Sequence, residues 1–98
     1  MAVKITCVNK DNGRHYDPHE AITFLGWVNE QTRASGRSSL ADMVNFLERQ
    51  NGQAYVKDRF GNVAYLVVRV SSNGNKYVKT IADGKITDNL LNLPECPI

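Results

Sequence analysis

Ninety-eight residues, 42% of them hydrophobic, with a formal net charge of +2, suit a single globular domain over 1–98. The charge is too small to argue for nucleic acid on its own, and no apolar run approaches the roughly 18 residues of a membrane helix. The opening residues, Met1 to Thr6, are strand-like and lack a secretory apolar region. The expected location is therefore cytoplasmic, with Cys7 and Cys96 reduced. The two cysteines can pair only if the C-terminus returns to the first strand.

In chain order, Val3 to Asn9 alternates Val3, Ile5 and Cys7 against Lys4, Thr6 and Val8, a strand pattern. Lys10 to Arg14 is a polar turn, and Tyr16-Asp17-Pro18-His19 is irregular because proline restricts the residue before it. Ala21 to Val28 is aromatic and β-branched without a clean polar face, so it reads as a strand buried on both sides. Gln31 to Arg37 is a polar loop. Ser39 then caps a helix, with Asp42 three residues on as a shortened capping box. Leu40, Met43, Val44 and Leu47 form its buried stripe, Arg49 suits its last turn, and Gly52 suits a left-handed position after it.

Three strands follow: Gln53 to Asp58, Val63 to Ser71 and Lys76 to Ile81. A two-residue turn at Asn73-Gly74 would set Tyr77 and Lys79 on the face of Val68 and Val70. A three-residue loop with Gly74 left-handed shifts the pairing by one, so that Arg69 faces Tyr77 and Val68 faces Val78. Burial favours the second register, because a one-residue slip exchanges the two faces. The same logic at Arg59-Phe60-Gly61 pairs Val56 with Ala64 and Tyr55 with Tyr65. One face then carries Ala54, Val56, Ala64, Leu66, Val68, Val70 and Val78, and covers the helix. The other carries Tyr55, Lys57, Tyr65, Val67, Arg69, Tyr77 and Lys79. The expected class is α+β: an antiparallel sheet of about five strands, ordered β-β-α-β-β-β along the chain, with one helix on one face.

That second face interleaves tyrosines with cations, the pattern by which open sheets stack bases and track phosphates. Cross-strand aromatic and cation–π pairs on an ordinary half-exposed sheet produce the same pattern. Arg33 and Arg37 flank a glycine and hydroxyls ahead of the helix start, a composition that can hold an anion, although the Walker lysine and spacing are missing. Cys7, His15, His19 and Cys96 have no zinc spacing, since Asp17-Pro18 interrupts the histidine pair. Asp83-Gly84 reads as a turn and Asp88 as the cap of a short helix, not as a calcium loop. Cys7 lies on an apolar strand face, as an inert thiol would, and no nucleophile–base–orienter set is legible. Leu90, Leu91, Leu93, Pro94, Pro97 and Ile98 form an apolar tail that either closes the core or docks a partner.

The stretch from Lys76 to Cys96, with Ile5-Thr6-Cys7-Val8-Asn9-Lys10, resembles a small bacterial and phage-associated family, the domain-of-unknown-function family numbered 3892. The likeness runs from about residue 5 to residue 96 and is densest at the two ends, while Asn29 to Ser38 departs from the family pattern. The resemblance implies no activity, cofactor or catalytic residue.

The sequence thus points to a non-enzymatic binding module with no cofactor, metal or membrane contact. Its first expected partner is single-stranded nucleic acid or another polyanion, held by Tyr55, Lys57, Tyr65, Arg69, Tyr77 and Lys79 with Arg33 and Arg37. The alternative is a protein–protein adaptor or homodimer built on a sheet edge and the leucine-rich C-terminus.

Overall fold

The computed structural model describes residues 2–11, 18–58, 60–82, 85–87, 90 and 93–96. The expected turns at Asn12-Gly13 and Asp83-Gly84, the cap at Asp88, and His15, Leu91, Pro97 and Ile98 lie outside the described residues. The elements run β1 (Ala2–Lys10), a 3₁₀ turn (Pro18–Ala21), β2 (Ile22–Val28), β3 (Ser35–Ser39), α1 (Leu40–Arg49), β4 (Gln53–Lys57), β5 (Val63–Val70), β6 (Lys76–Ala82) and β7 (Lys85–Thr87).

The strands form one seven-stranded sheet in the order β3-β2-β1-β4-β5-β6-β7. Among the described residues, the α+β class with one α-helix is as expected, but the sheet has more strands and is mixed. β1 and β4 pair in parallel, Val3 beside Ala54 and Lys4 beside Tyr55. The intervening β2–β3 hairpin and α1 act as the crossover that a parallel pair requires.

Two strands carry little sequence signal. β3 is Ser-Gly-Arg-Ser-Ser, with no apolar alternation. Its neighbours hold it in place. Trp27 lies so close over Gly36 that a Cβ there would come 2.9 Å from the ring, and the indole donates to Ser38 Oγ at 3.1 Å. The hairpin turn rests on buried Asn29, whose side-chain oxygen accepts from the amides of Gln31 and Thr32. Arg33 closes it at φ 66°. β7 is a three-residue strand on β6, with Ile86 opposite Ile81.

In β1 the expected alternation fails. Ile5 stands opposite Trp27 and Cys7 opposite Gly26, which leaves Thr6 as an extra residue. A bulge of this kind reverses the faces that follow it. Val8 therefore enters the core with Val3 and Ile5, and Cys7 turns to the other side of the sheet.

The helix meets expectation at its start, where Asp42 N–H donates to Ser39 Oγ at 3.2 Å. Met43 and Val44 are buried, and Leu40, Leu47 and Phe46 pack on the core. The left-handed residue after the helix is Asn51, at φ 54°, and not Gly52. Gly52 is buried against the Phe46 ring, in space that a Cβ would occupy.

Both predicted registers hold: Val56 with Ala64, Tyr55 with Tyr65, Val68 with Val78 and Arg69 with Tyr77. Gly61 and Gly74 are left-handed, at φ 86° and 84°. Ala54, Val56, Ala64, Leu66 and Val78 are buried beneath the helix. Val70 is not, at 61% exposed. It pairs with Lys76 where the helix presents Glu48, which Lys76 Nζ meets at 2.6 Å, so the cover there is polar.

Candidate functional site

The β5–β6 loop sets the arrangement of the candidate face. Gly74 N–H donates to the Ser71 carbonyl and Ser71 N–H to the Asn75 carbonyl, which fixes the register one residue off the simple two-residue turn. Side chains directly opposite one another share a face. Val67 with Lys79 and Arg69 with Tyr77 therefore project away from the helix, as do Tyr65 and Ile81. Arg69 is exposed and Tyr65 is 50% exposed, while Tyr77 and Lys79 are half-buried. The Lys79 ammonium stands 5.9 Å from the Tyr77 ring centroid. Tyr55 and Tyr65 meet edge to face, with centroids 6.1 Å apart. The six residues expected from β4, β5 and β6 thus lie on one side of three neighbouring strands.

An acidic residue borders this face. Glu30, in the β2–β3 turn, accepts a hydrogen bond from the Tyr55 hydroxyl and lies 3.5 Å from Lys57 Nζ. That hydroxyl, with the cations of Lys57 and Lys4, holds the Glu30 carboxyl below its usual range. The bond to Glu30, with some burial, pushes the Tyr55 phenol up to about 12. Lys57 and Tyr55 are therefore engaged with Glu30, while Tyr65, Arg69, Tyr77 and Lys79 lie on the next two strands, β5 and β6. Sequence reasoning missed Glu30 because it lies in a polar turn and meets β4 only through long-range pairing.

Arg33 and Arg37 do not join the helix start. Arg33 lies in the turn at the opposite end of β3 from α1. Arg37 stacks its guanidinium 4.8 Å over the Phe24 ring. Its partner Gly26 pairs with Cys7, so Arg37 lies on the tyrosine side of the sheet. It is four strands from β5, about 19 Å at 4.8 Å per step. On the opposite side, Val3, Trp27, Met43, Phe46 and Asp42 line a half-open cleft between α1 and the sheet.

The cysteines correct an expectation. Cys7 and Cys96 form a disulfide, with Cα atoms 4.9 Å apart. The C-terminal segment returns to β1 at Val8, where β4 no longer covers the strand, and the bridge follows from that return. Leu90 is fully buried and Leu93 packs on the core, so these two leucines close it instead of forming a docking patch. His19 is buried in the 3₁₀ turn. Among the described residues, no three His, Cys, Asp or Glu side chains come together to hold a metal ion, and no helix is long and apolar enough to cross a membrane.

Residues 4–94 match the family model described as "Protein of unknown function (DUF3892)", and the chain belongs to that family. No curated protein and no solved structure matches it significantly.

Proposed function

We propose that the chain is a non-enzymatic binding module that takes single-stranded nucleic acid, or another flexible polyanion, on the β5–β6 face. Tyr65 and Tyr77 supply stacking surfaces, and Arg69 and Lys79 supply phosphate partners. The observation behind this reading is the register that sets Arg69 opposite Tyr77 and Val67 opposite Lys79 on the side away from the helix. Glu30 sets its boundary. A phosphate chain running past Lys57 would meet a carboxylate, so the path favoured by charge crosses β5 and β6. Arg37 is an outlying contact that a long strand alone could reach.

A short aromatic–cation patch on a sheet suits unstacked bases, whereas a duplex hides its base faces. Fluorescence anisotropy with a labelled oligonucleotide, single-stranded and then annealed, tests the proposal at low salt. Tighter binding of the single strand is expected. No binding at high micromolar protein would sink the reading and favour the adaptor alternative. That alternative draws on β3, which ends the sheet order and so offers one side as an edge for pairing.

A further inference from the structure

We infer that the Cys7–Cys96 disulfide is a redox latch that holds the C-terminal segment on β1 and releases it on reduction. The segment sits where β1 has a vacant pairing side. β4 accompanies β1 only from Ala2 to Lys4. Beyond the bulge, the Pro94 carbonyl accepts from Val8 N–H at 3.0 Å and Cys96 N–H donates to the Val8 carbonyl at 3.3 Å. Asn9 Nδ2 adds a bond to the Cys96 carbonyl at 3.2 Å. The contact is thus a strip of strand one bridge long, Val8 beside Glu95. A segment held to its neighbour by so few hydrogen bonds belongs to the least stable part of a fold. The covalent bond is what converts this weak docking into a fixed one.

Two features fit the site to the bridge. Gly26 stands opposite Cys7 in the interior of β2, where glycine weakens a strand. A Cβ at Gly26 would strike Cys7 Sγ and come within 3.0 Å of Cys96 Sγ, so the missing side chain makes room for the sulfurs. The bulge at Thr6 turns Cys7 out of the core, where it is partly exposed while Cys96 is buried. A reductant therefore reaches Cys7 first.

The reaction is thiol–disulfide exchange with a dithiol. One thiolate of the reductant attacks Cys7 Sγ, the sulfur–sulfur bond breaks, and Cys96 leaves as a thiolate that takes up a proton. The second thiol of the reductant then attacks its own sulfur in the mixed disulfide and frees Cys7. Two electrons pass to the protein, and the reductant ends as a disulfide. Leu90, fully buried, and Leu93, packed on the core, stay as the anchor, and Pro94 to Cys96 move away from β1. The Val8 N–H and carbonyl then lose their partners on that side of β1. In a reducing compartment the latch stands open, and an oxidising shift closes it.

Native mass spectrometry and amide hydrogen exchange on the intact chain test this, with and without dithiothreitol. The native mass should lie two units below that of the dithiol form. Reduction should speed exchange at the Val8 and Cys96 amides at least tenfold and leave Val56 and Val78 unchanged. The Cys96→Ser chain should show the same fast exchange without reductant, and Gly26→Ala should lower the fraction bridged. Absence of the two-unit difference would overturn the inference. So would unchanged exchange at Val8, which would make the bridge incidental, or equal acceleration at Val56 and Val78, which would make it a global staple.

Discussion

Arg69 stands opposite Tyr77 across β5 and β6, while the neighbouring pair, Val68 and Val78, points to the other side of the sheet. One residue of register decides which of these pairs meets solvent. The left-handed Gly74 therefore settles which residues share a face as well as a turn. A two-residue asparagine–glycine turn would have put Tyr77 and Lys79 on the helix side with Val68 and Val70, and Val78 beside Arg69 on the other.

The tyrosines and the cations of this face should fail differently. Tyr77→Ala is expected to remove roughly 1–3 kcal/mol of oligonucleotide binding, and that loss should persist at high salt because stacking does not depend on counterions. Lys79→Ala should flatten the plot of log affinity against log salt by about 0.7, the single-strand value for one phosphate contact. Binding titrations of both variants at two salt concentrations check the distinction. Identical behaviour of the two would show that stacking and charge are not divided as described.

Glu30 and Tyr55 should titrate as a linked pair. The Tyr55 phenol is raised because its proton is shared with a carboxylate, so the folded state holds that proton more tightly than the unfolded chain. The resulting stability is present below the ordinary tyrosine value of 10.0 and is lost as pH rises toward about 12. For Glu30 the sign is opposite: its lowered carboxyl contributes above the ordinary value of 4.5 and loses that contribution as the solution is acidified. Glu30→Gln should bring the Tyr55 phenol down from about 12 toward 10.0, read from tyrosinate absorbance or ring carbon shifts. An unmoved phenol would show that Glu30 is not its partner.

Helix contributions should rank by burial. Met43 is 2% exposed, and Met43→Ala should cost about 2–5 kcal/mol. Leu47 is only partly buried, so Leu47→Ala should fall at the low end, about 2 kcal/mol. Ser39→Ala loses the bond to Asp42 N–H and should cost about 1 kcal/mol. Urea unfolding midpoints give the order, and a larger loss at Ser39 than at Met43 would reverse the account of what holds the helix.

The sequence made legible whatever depended on local periodicity. The helix, the β4–β5–β6 meander and its two loops follow from apolar spacing and from glycines that accept positive φ. β3 was not legible, because Ser-Gly-Arg-Ser-Ser pairs through its backbone and lies against Trp27, neither of which leaves a periodic trace. The Thr6 bulge was hidden as well, since Val3, Ile5 and Cys7 alternate perfectly until the partner strand is known. Glu30 and the disulfide are consequences of long-range closure, which single-sequence patterns do not encode. Of the candidate site, the β4–β6 residues were readable, while the positions of Arg33 and Arg37 depended on the unrecognised strand.

Salt dependence tests the central claim most directly. With Arg69 and Lys79, and one further cation along a longer strand, the slope of log affinity against log salt should be about −1.4 to −2 for a single-stranded oligonucleotide. Anisotropy titrations of the unmodified chain from low to moderate salt would give that slope. A value in that range, with single strand preferred over duplex, is the predicted result. Binding that is indifferent to salt would contradict it and place the contact on an apolar surface.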